Sequence, residues 1–391
     1  MRIMFFCYAQ EIQNEFLHAA KYLAHFEQNF ILTPLIRFKD KADYDVTLAQ
    51  LSKTSENITV SPVYLKSPDS SFSNLLNPNV LISDFLSIAK TIRQTKPDVI
   101  VCFYISHAYP LTLLKKLSKF VLCTVAMGSD VNLENGFLQK KARKIVYRNS
   151  DLIFARSWKL KEKIEKEHKC SVIVNPSSTD TSFFKPLEYK IALREKWNIN
   201  PDKHVIITAC RLDKNKGVDV LLKALQALKT DDVKVLIVGD GTERKALEEL
   251  AASVGLQQKV MFMGHRSRQE LLELYNLSDI FTLTSYSEGL PRVLIEAMAC
   301  GCIPIVTDVG SISALTINGY NGFTLTPGDY SVLSEKIRAT LALPKEELKQ
   351  MRTRARQSVV ECFDSKKIWE NMVDTIRTSN LIQHKQPHNS N

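Results

Sequence analysis

Residues 285–301 read Ser285-Tyr286-Ser287-Glu288-Gly289-Leu290-Pro291-Arg292-Val293-Leu294-Ile295-Glu296-Ala297-Met298-Ala299-Cys300-Gly301. Pro291 suits the first turn of a helix and Gly301 suits its end, so the pattern predicts a helix of about ten residues. On either side lie short apolar runs rich in β-branched residues, Ile280–Thr284 and Ile303–Thr307. A strand, a helix and a second strand make a βαβ unit, and βαβ units build parallel sheets.

Working outward, the same alternation fills the chain. Candidate strands in the first half are Arg2–Tyr8, Phe30–Ile36, Ile58–Tyr64, Val99–Tyr104, Phe120–Ala126, Asp151–Ala155 and Ser171–Val174. In the second half they are His204–Cys210, Val233–Val238, Lys259–Met263, Ile280–Thr284, Ile303–Thr307 and Gly322–Thr326. Helical patterns lie between them, as in Gly217–Leu228, where Val218, Leu221, Leu222, Leu225 and Leu228 share one face. The expected fold is therefore α/β, with two doubly wound, Rossmann-like domains.

The polar, turn-forming run Asn175–Pro186 interrupts the alternation. It places a first domain over 1–186 and a second over 187–365, with the hinge near 187–201. The amphipathic pattern Glu346–Thr378 is long enough to leave the second domain, and 366–382 is expected to return to the first as a helix. The tail, 383–391, lacks apolar residues and reads as disordered.

The 391 residues, 45% apolar and 24% charged, suit two compact domains and exclude a disordered, collagen-like or disulfide-stapled chain. None of the eight cysteines forms a C-x-x-C pair, so reduced thiols and a cytoplasmic setting are expected. The N-terminal apolar run is too short for a signal peptide, and Val99–Leu114, broken by His107 and Pro110, is too short to span a bilayer. The formal charge of +10 lies mostly before residue 191, where 26 basic residues face 18 acidic ones. It points to an anionic partner for the first half.

Glu288 precedes the central helix, and Glu296 sits about 7 Å along its axis from Pro291. First-turn N–H groups attract phosphate, and carboxylates on either side could grip hydroxyls of groups joined through a diphosphate. That is the shape of a sugar nucleotide. Equally, Glu288 could be a loop acid and Glu296 a solvent-facing residue.

The flanking residues resemble the signature of GT-B fold retaining glycosyltransferases of family 4. The shared pattern runs through Glu288-Gly289-Leu290-Pro291, Glu296-Ala297-Met298-Ala299-Cys300-Gly301, Pro304-Ile305-Val306 and Gly319-Tyr320-Asn321-Gly322. The resemblance is strong over Val205–Asp329 and loose elsewhere. It implies two domains facing a central cleft, with a nucleoside-diphosphate sugar as donor. Gly289, Leu290 and Pro291 would then lie at the donor, Glu288 would orient the sugar, and Glu296 would hold the ribose. The stretch Arg211-Leu212-Asp213-Lys214-Asn215-Lys216-Gly217 matches the family's R-L-x-x-x-K-G. Read physically, Arg211 and Lys216 offer a fork and a point charge to a diphosphate, without a metal ion. By resemblance Gly264 and His265 border the base, as does the Gly239-Asp240-Gly241 turn.

The first domain departs from the family. The loop Cys7-Tyr8-Ala9-Gln10-Glu11 has no glycine where relatives are glycine-rich, and Met127-Gly128-Ser129-Asp130 stands where many show H-G-S-D. Asn175-Pro176-Ser177-Ser178-Thr179-Asp180 replaces N-G-V-D. Asp130 and His107 are the acceptor-side candidates.

Between Val101 and Lys169 there are 14 basic and 6 acidic residues. They read as solvated helix faces or as a surface for anionic lipid head groups, which would suit a lipid-linked saccharide acceptor at the cytoplasmic face of a membrane. No nucleic-acid module is present, and Asp43-Tyr44-Asp45, with no strand before it, reads as a polar loop. The expected activity is transfer of a sugar to a hydroxyl of a glycan or lipid-linked saccharide, as in polysaccharide biosynthesis. A sugar-nucleotide epimerase or hydrolase, or a catalytically silent partner subunit, are the alternatives. No metal or other cofactor is expected.

Overall fold

The computed structural model describes residues 1–8, 22–23, 26, 28–37, 56–65, 78–132 and 137–379. The loop Ala9–Glu11, the Asp43-Tyr44-Asp45 triplet and the tail from Gln383 lie outside the described residues. The chain forms two compact units, Met1–Pro176 with Lys366–Asn391, and Ser177–Ser365. The division falls ten residues before the expected boundary at 186 because the intervening segment is bonded into the second unit. Thr179 accepts from Ser365 N at 2.8 Å and donates to Phe363 O at 3.0 Å, and Phe184 is fully buried in the second unit's core.

The first unit holds β1 (Arg2–Tyr8), β2 (Asn29–Arg37), β3 (Ile58–Val60), β4 (Val63–Leu65), β5 (Val99–Phe103), β6 (Val121–Ala126), β7 (Leu152–Ala155) and β8 (Ile173–Val174). The sheet order is β3-β2-β1-β5-β6-β7-β8, with β4 also on β2 and every pairing parallel. The expected strand Ile58–Tyr64 is split at Ser61-Pro62, since proline cannot donate to a ladder. Alternate residues of β1 serve opposite faces. Ile3 and Phe5 pack with Trp369, Met372, Val373 and Ile376 of the C-terminal helix Ser365–Thr378, while Met4 and Phe6 pack with Ile88 and Ile92. The Trp369 ring lies edge-on to Phe5 at 5.4 Å.

The helical pattern over 346–378 forms two helices, Lys345–Cys362 and Ser365–Thr378. The break at Phe363-Asp364 is held open by the Thr179–Asp364 bridge and by the Thr181 hydroxyl, which donates to Asp364 at 2.5 Å.

The second unit holds β9 (His204–Ala209), β10 (Val233–Val238), β11 (Val260–Gly264), β12 (Ile280–Leu283), β13 (Ile303–Thr307) and β14 (Phe323–Leu325). These form a parallel sheet in the order β11-β10-β9-β12-β13-β14. Its residues alternate between two cores: Val205 and Ile207 lie with Leu274, Tyr275 and Leu294, and Ile206 lies with Leu221 and Leu225. From β9 the chain builds outward through β10 and β11, then returns to the other side of β9 as β12. The connections at the carboxyl ends of β9 and β12 therefore diverge, leaving the kind of crevice in which open α/β sheets bind ligands.

Candidate active site

The loops that leave β9 and β12 are stitched to one another. Tyr286 N donates to Asn215 O at 2.8 Å, Asn215 Nδ2 donates to Ser287 O at 3.0 Å, and the Thr284 hydroxyl donates to Gly217 O at 2.8 Å. Gly217 has φ +59°, and a Cβ there would lie 2.4 Å from Thr284 O, so only glycine lets the strands' ends come this close.

The stitching brings Lys216 to Glu288. Lys216 Nζ donates to Glu288 Oε1 at 2.7 Å, and the buried Ser285 hydroxyl donates to the same oxygen at 2.6 Å. Ser285 is fixed in turn through its carbonyl, which accepts from Thr307 Oγ1 at 2.6 Å. The backbone of Glu288-Gly289 is backed by Gly310, at φ +66°, where a Cβ would meet Glu288 O at 2.2 Å and Gly289 O at 2.4 Å. Ser311 N completes the support by donating to Gly289 O at 2.8 Å.

Glu288 and Gly289 lead into Leu290, which is buried, and then into the helix Arg292–Ala299. Pro291 is its N-cap rather than a residue inside the first turn, and Gly301, at φ +84°, follows its end. A proline has no side-chain acceptor, so the N-cap residue itself makes no side-chain bond to the start of this helix.

Glu296 is not the solvent-facing residue that spacing alone allows. It is 8% exposed, and burial pushes its carboxyl up to about 7 against the pull of Arg292 and Arg268 and of the Tyr275 hydroxyl beside it. Arg211 lies in the same loop as Lys216 but points outward, 77% exposed, with Nε donating to Asp213 at 2.7 Å. The structure thus joins Lys216 and Glu288 directly, sets Arg211 at the rim, and buries Glu296 in the helix that follows.

Gly239 and Gly241 have a backbone role. A Cβ on Gly239 would lie 1.9 Å from Cys210 O, and one on Gly241 would lie 2.3 Å from Leu212 O. The turn therefore braces the Arg211 loop. Gly264, at φ +67°, accepts from Gly239 N at 2.8 Å and leads to an exposed His265.

In the first unit, the corresponding reversal of strand order lies between β1 and β5. His107 follows β5 in a short 3-10 turn, with Nδ1 3.2 Å from Phe103 O and its ring 5.3 Å from that of Tyr104. Burial lowers its pKa to about 3, so the imidazole stays neutral. Tyr104 opens the turn at φ +69°, a conformation that costs a non-glycine residue roughly 1–2 kcal/mol. Asp130 is buried and clamps this turn: its carboxylate accepts from Ile105 N at 2.7 Å, Gly128 N at 2.9 Å and Met127 N at 3.1 Å. It shapes the loop that carries His107. Among the described residues, no three His, Cys, Asp or Glu side chains gather as a metal site, and no helix is long and apolar enough to cross a membrane.

Known proteins share this construction. Residues 190–358 match the family described as Glycosyl transferases group 1, and residues 22–157 match Glycosyl transferase 4-like. A glycosyltransferase from Rickettsia africae superposes with a TM-score of 0.80 at 21% identity, covering 98% of this chain and 99% of the other. The chain is a GT-B glycosyltransferase. Its similarity extends to the Anabaena protein HepE, solved in complex with UDP, at a TM-score of 0.79 and 19% identity over 97% of this chain and 100% of that one. In sequence, the glycosyltransferase is 28% identical over 295 residues to N-acetyl-alpha-D-glucosaminyl L-malate synthase of Bacillus anthracis, 72% of this chain and 74% of that protein.

Ser285, Thr307, Gly310 and Asn215 escaped the reading of this glycosyltransferase's sequence. Serine, threonine, asparagine and glycine after strands are common turn residues. Which carbonyl or carboxylate each one meets depends on strands far apart in the chain.

Proposed function

We propose that this glycosyltransferase moves a sugar from a nucleoside-diphosphate sugar to a hydroxyl of a glycan or lipid-linked saccharide, with retention at the anomeric carbon. The observation that carries this reading is the Lys216–Glu288 contact of 2.7 Å, with Glu288 three residues before Pro291, the N-cap of a helix. The UDP and UDP-glucose complexes of HepE support the same donor chemistry.

In the reaction, the bond between the anomeric carbon and the diphosphate oxygen breaks and the acceptor hydroxyl bonds to the same face of the sugar. The departing diphosphate takes the acceptor's proton, so no separate nucleophile is needed. What the protein supplies is preorganised charge where the leaving group becomes more anionic. Lys216, Arg211 and the amides after Glu288 are the groups for this, Glu288 orients the donor sugar, and Glu296 holds the ribose. Two cations in place of a metal predict turnover that survives EDTA. Gly264 and His265 border the base, and the neutral His107 stands on the acceptor side, on a loop set by Asp130.

Of the cations between Val101 and Lys169, Arg143 and Arg156 are buried, while Lys115 pairs with Asp151 at 2.6 Å. Lys116 and Lys119 remain exposed around Leu117, itself 79% exposed. A leucine flanked by lysines suits an anionic membrane surface, where a lipid-linked acceptor would be met.

The test is to screen nucleoside-diphosphate sugars by thermal shift, then supply acceptors with the stabilising donor and determine the product's anomeric configuration by NMR. An inverted product overturns retention. Release of free sugar or of an isomer, with no new linkage, overturns transfer. Glu288→Gln should slow transfer by about 10²- to 10³-fold while leaving donor-induced stabilisation measurable.

A further inference from the structure

Beyond the Lys216–Glu288 pair, the second unit carries exposed aromatic and cationic groups that none of the roles above uses. Tyr286, two residues before Glu288, is 48% exposed, yet its ring is not loose. A Cβ added to Gly217 would lie 3.3 Å from its Cε2, and one added to Gly328 would lie 3.7 Å from its Cε1 and Oη. Two glycine backbones therefore hold the ring while it stays open to solvent. Tyr330, the first residue of the helix Tyr330–Leu341, is also 46% exposed, and its N donates to Gly328 O at 3.0 Å. The Lys223 ammonium is within electrostatic reach of both tyrosines and donates to Asp219 at 2.9 Å.

Past Tyr330 opens a hollow of about 510 Å³ lined by Lys223, Gln226, Ala227, Lys229 and Tyr330. Its lining holds two ammonium groups, an amide, a phenol and no carboxylate. Lys229 is set by the backbone: it caps the helix Val218–Leu228 in the left-handed conformation, φ +50°.

A fixed, half-exposed tyrosine presents a flat apolar face with a polar edge. A pyranose has the complementary form, with C–H bonds on its faces and hydroxyls around its rim. Lysine and amide N–H groups donate to such hydroxyls, and the surplus positive charge favours a carboxylate or phosphate on the sugar. We propose that Tyr286, Lys223, Tyr330, Gln226 and Lys229 form a binding track for an acidic saccharide chain, running away from Glu288 across the second unit. It rests on the proposed function only in that the chain bound there would be the glycan being extended.

The test needs no catalysis. Oligogalacturonate and a maltooligosaccharide of equal length are titrated into the full chain by calorimetry, with saturation-transfer NMR to detect stacking on the sugar C–H groups. UDP-induced thermal stabilisation is recorded separately. Oligogalacturonate should bind, with transfer into its ring protons, and Tyr330→Ala and Lys229→Glu should each weaken it about tenfold or more while the UDP response is unchanged. No binding of either sugar overturns the track, and equal binding of both overturns its acidic selectivity. Equal binding of a short RNA with no transfer from aromatic protons shows only a polyanion patch and overturns it too. Loss of the UDP response in the unsubstituted protein counts against the donor site, independently of the sugar result.

Discussion

Lys216 Nζ rests 2.7 Å from Glu288 Oε1 although the two residues are 72 apart in the chain. Both side chains are mostly covered, 19% and 10% exposed, so each satisfies a charge that would otherwise be poorly solvated. Lys216→Met should lower kcat/KM by about 10²- to 10³-fold, the scale for removing one group that stabilises developing charge. Glu288→Gln should lower kcat comparably. Each single variant should melt lower than the parent, and the double variant should lose less stability than the two singles added, because it strands neither charge. Strict additivity in urea titrations would show that the pair is not coupled.

Ser285 donates to the carboxylate oxygen that faces Lys216. Deleting the hydroxyl leaves that oxygen held by Lys216 alone, so Ser285→Ala should lower kcat about tenfold while the thermal stabilisation by UDP stays close to the parent's. A lesion of the fold would lower both together. Melting curves with and without UDP, beside the kcat measurement, separate the two.

Glu296 is raised by burial from the usual carboxylate range to about 7. Between about pH 4.5 and 7 the native state thus holds a proton that the unfolded chain has released. Stability should therefore fall as pH rises through that window and stay low above it. Glu296→Gln should remove this slope and raise unfolding free energy above pH 7 by on the order of 2–3 kcal/mol, with little gain below pH 4.5. Urea titrations across pH 4–8 read it directly, and a matching fall in donor affinity would mark a carboxylate kept for binding at a cost in stability.

Gly310 lies against the backbone of Glu288 and Gly289 at φ +66°. Gly310→Ala would add both a left-handed penalty, about 1–2 kcal/mol, and a clash with two carbonyls. It should lower the melting temperature and cut turnover more than Gly255→Ala. Gly255, at φ +73°, has open space around its Cβ position, so it reports the backbone penalty alone.

Trp369 fills the first unit's core from the far end of the sequence, against Phe5 and Phe103. Trp369→Ala should cost about 3–5 kcal/mol. Proteolysis should then open the first unit first, leaving a resistant fragment near Ser177–Ser365.

The sequence by itself determined the parallel α/β fold: apolar runs at strand length alternating with helical periodicity leave few other ways to bury both faces of each strand. It also singled out Glu288 and Glu296 in one segment and Arg211 and Lys216 in another, through the flanking residues that each short segment shares with a known family, a local property. Tertiary structure alone decided that Lys216 meets Glu288 while Arg211 turns outward, and that Glu296 is buried. It also gave the segment 177–186 to the second unit and made Asp130 a backbone clamp. Those outcomes depend on which strands are neighbours and on the few ångströms between loops that glycine permits, and neither is written in any single stretch of residues.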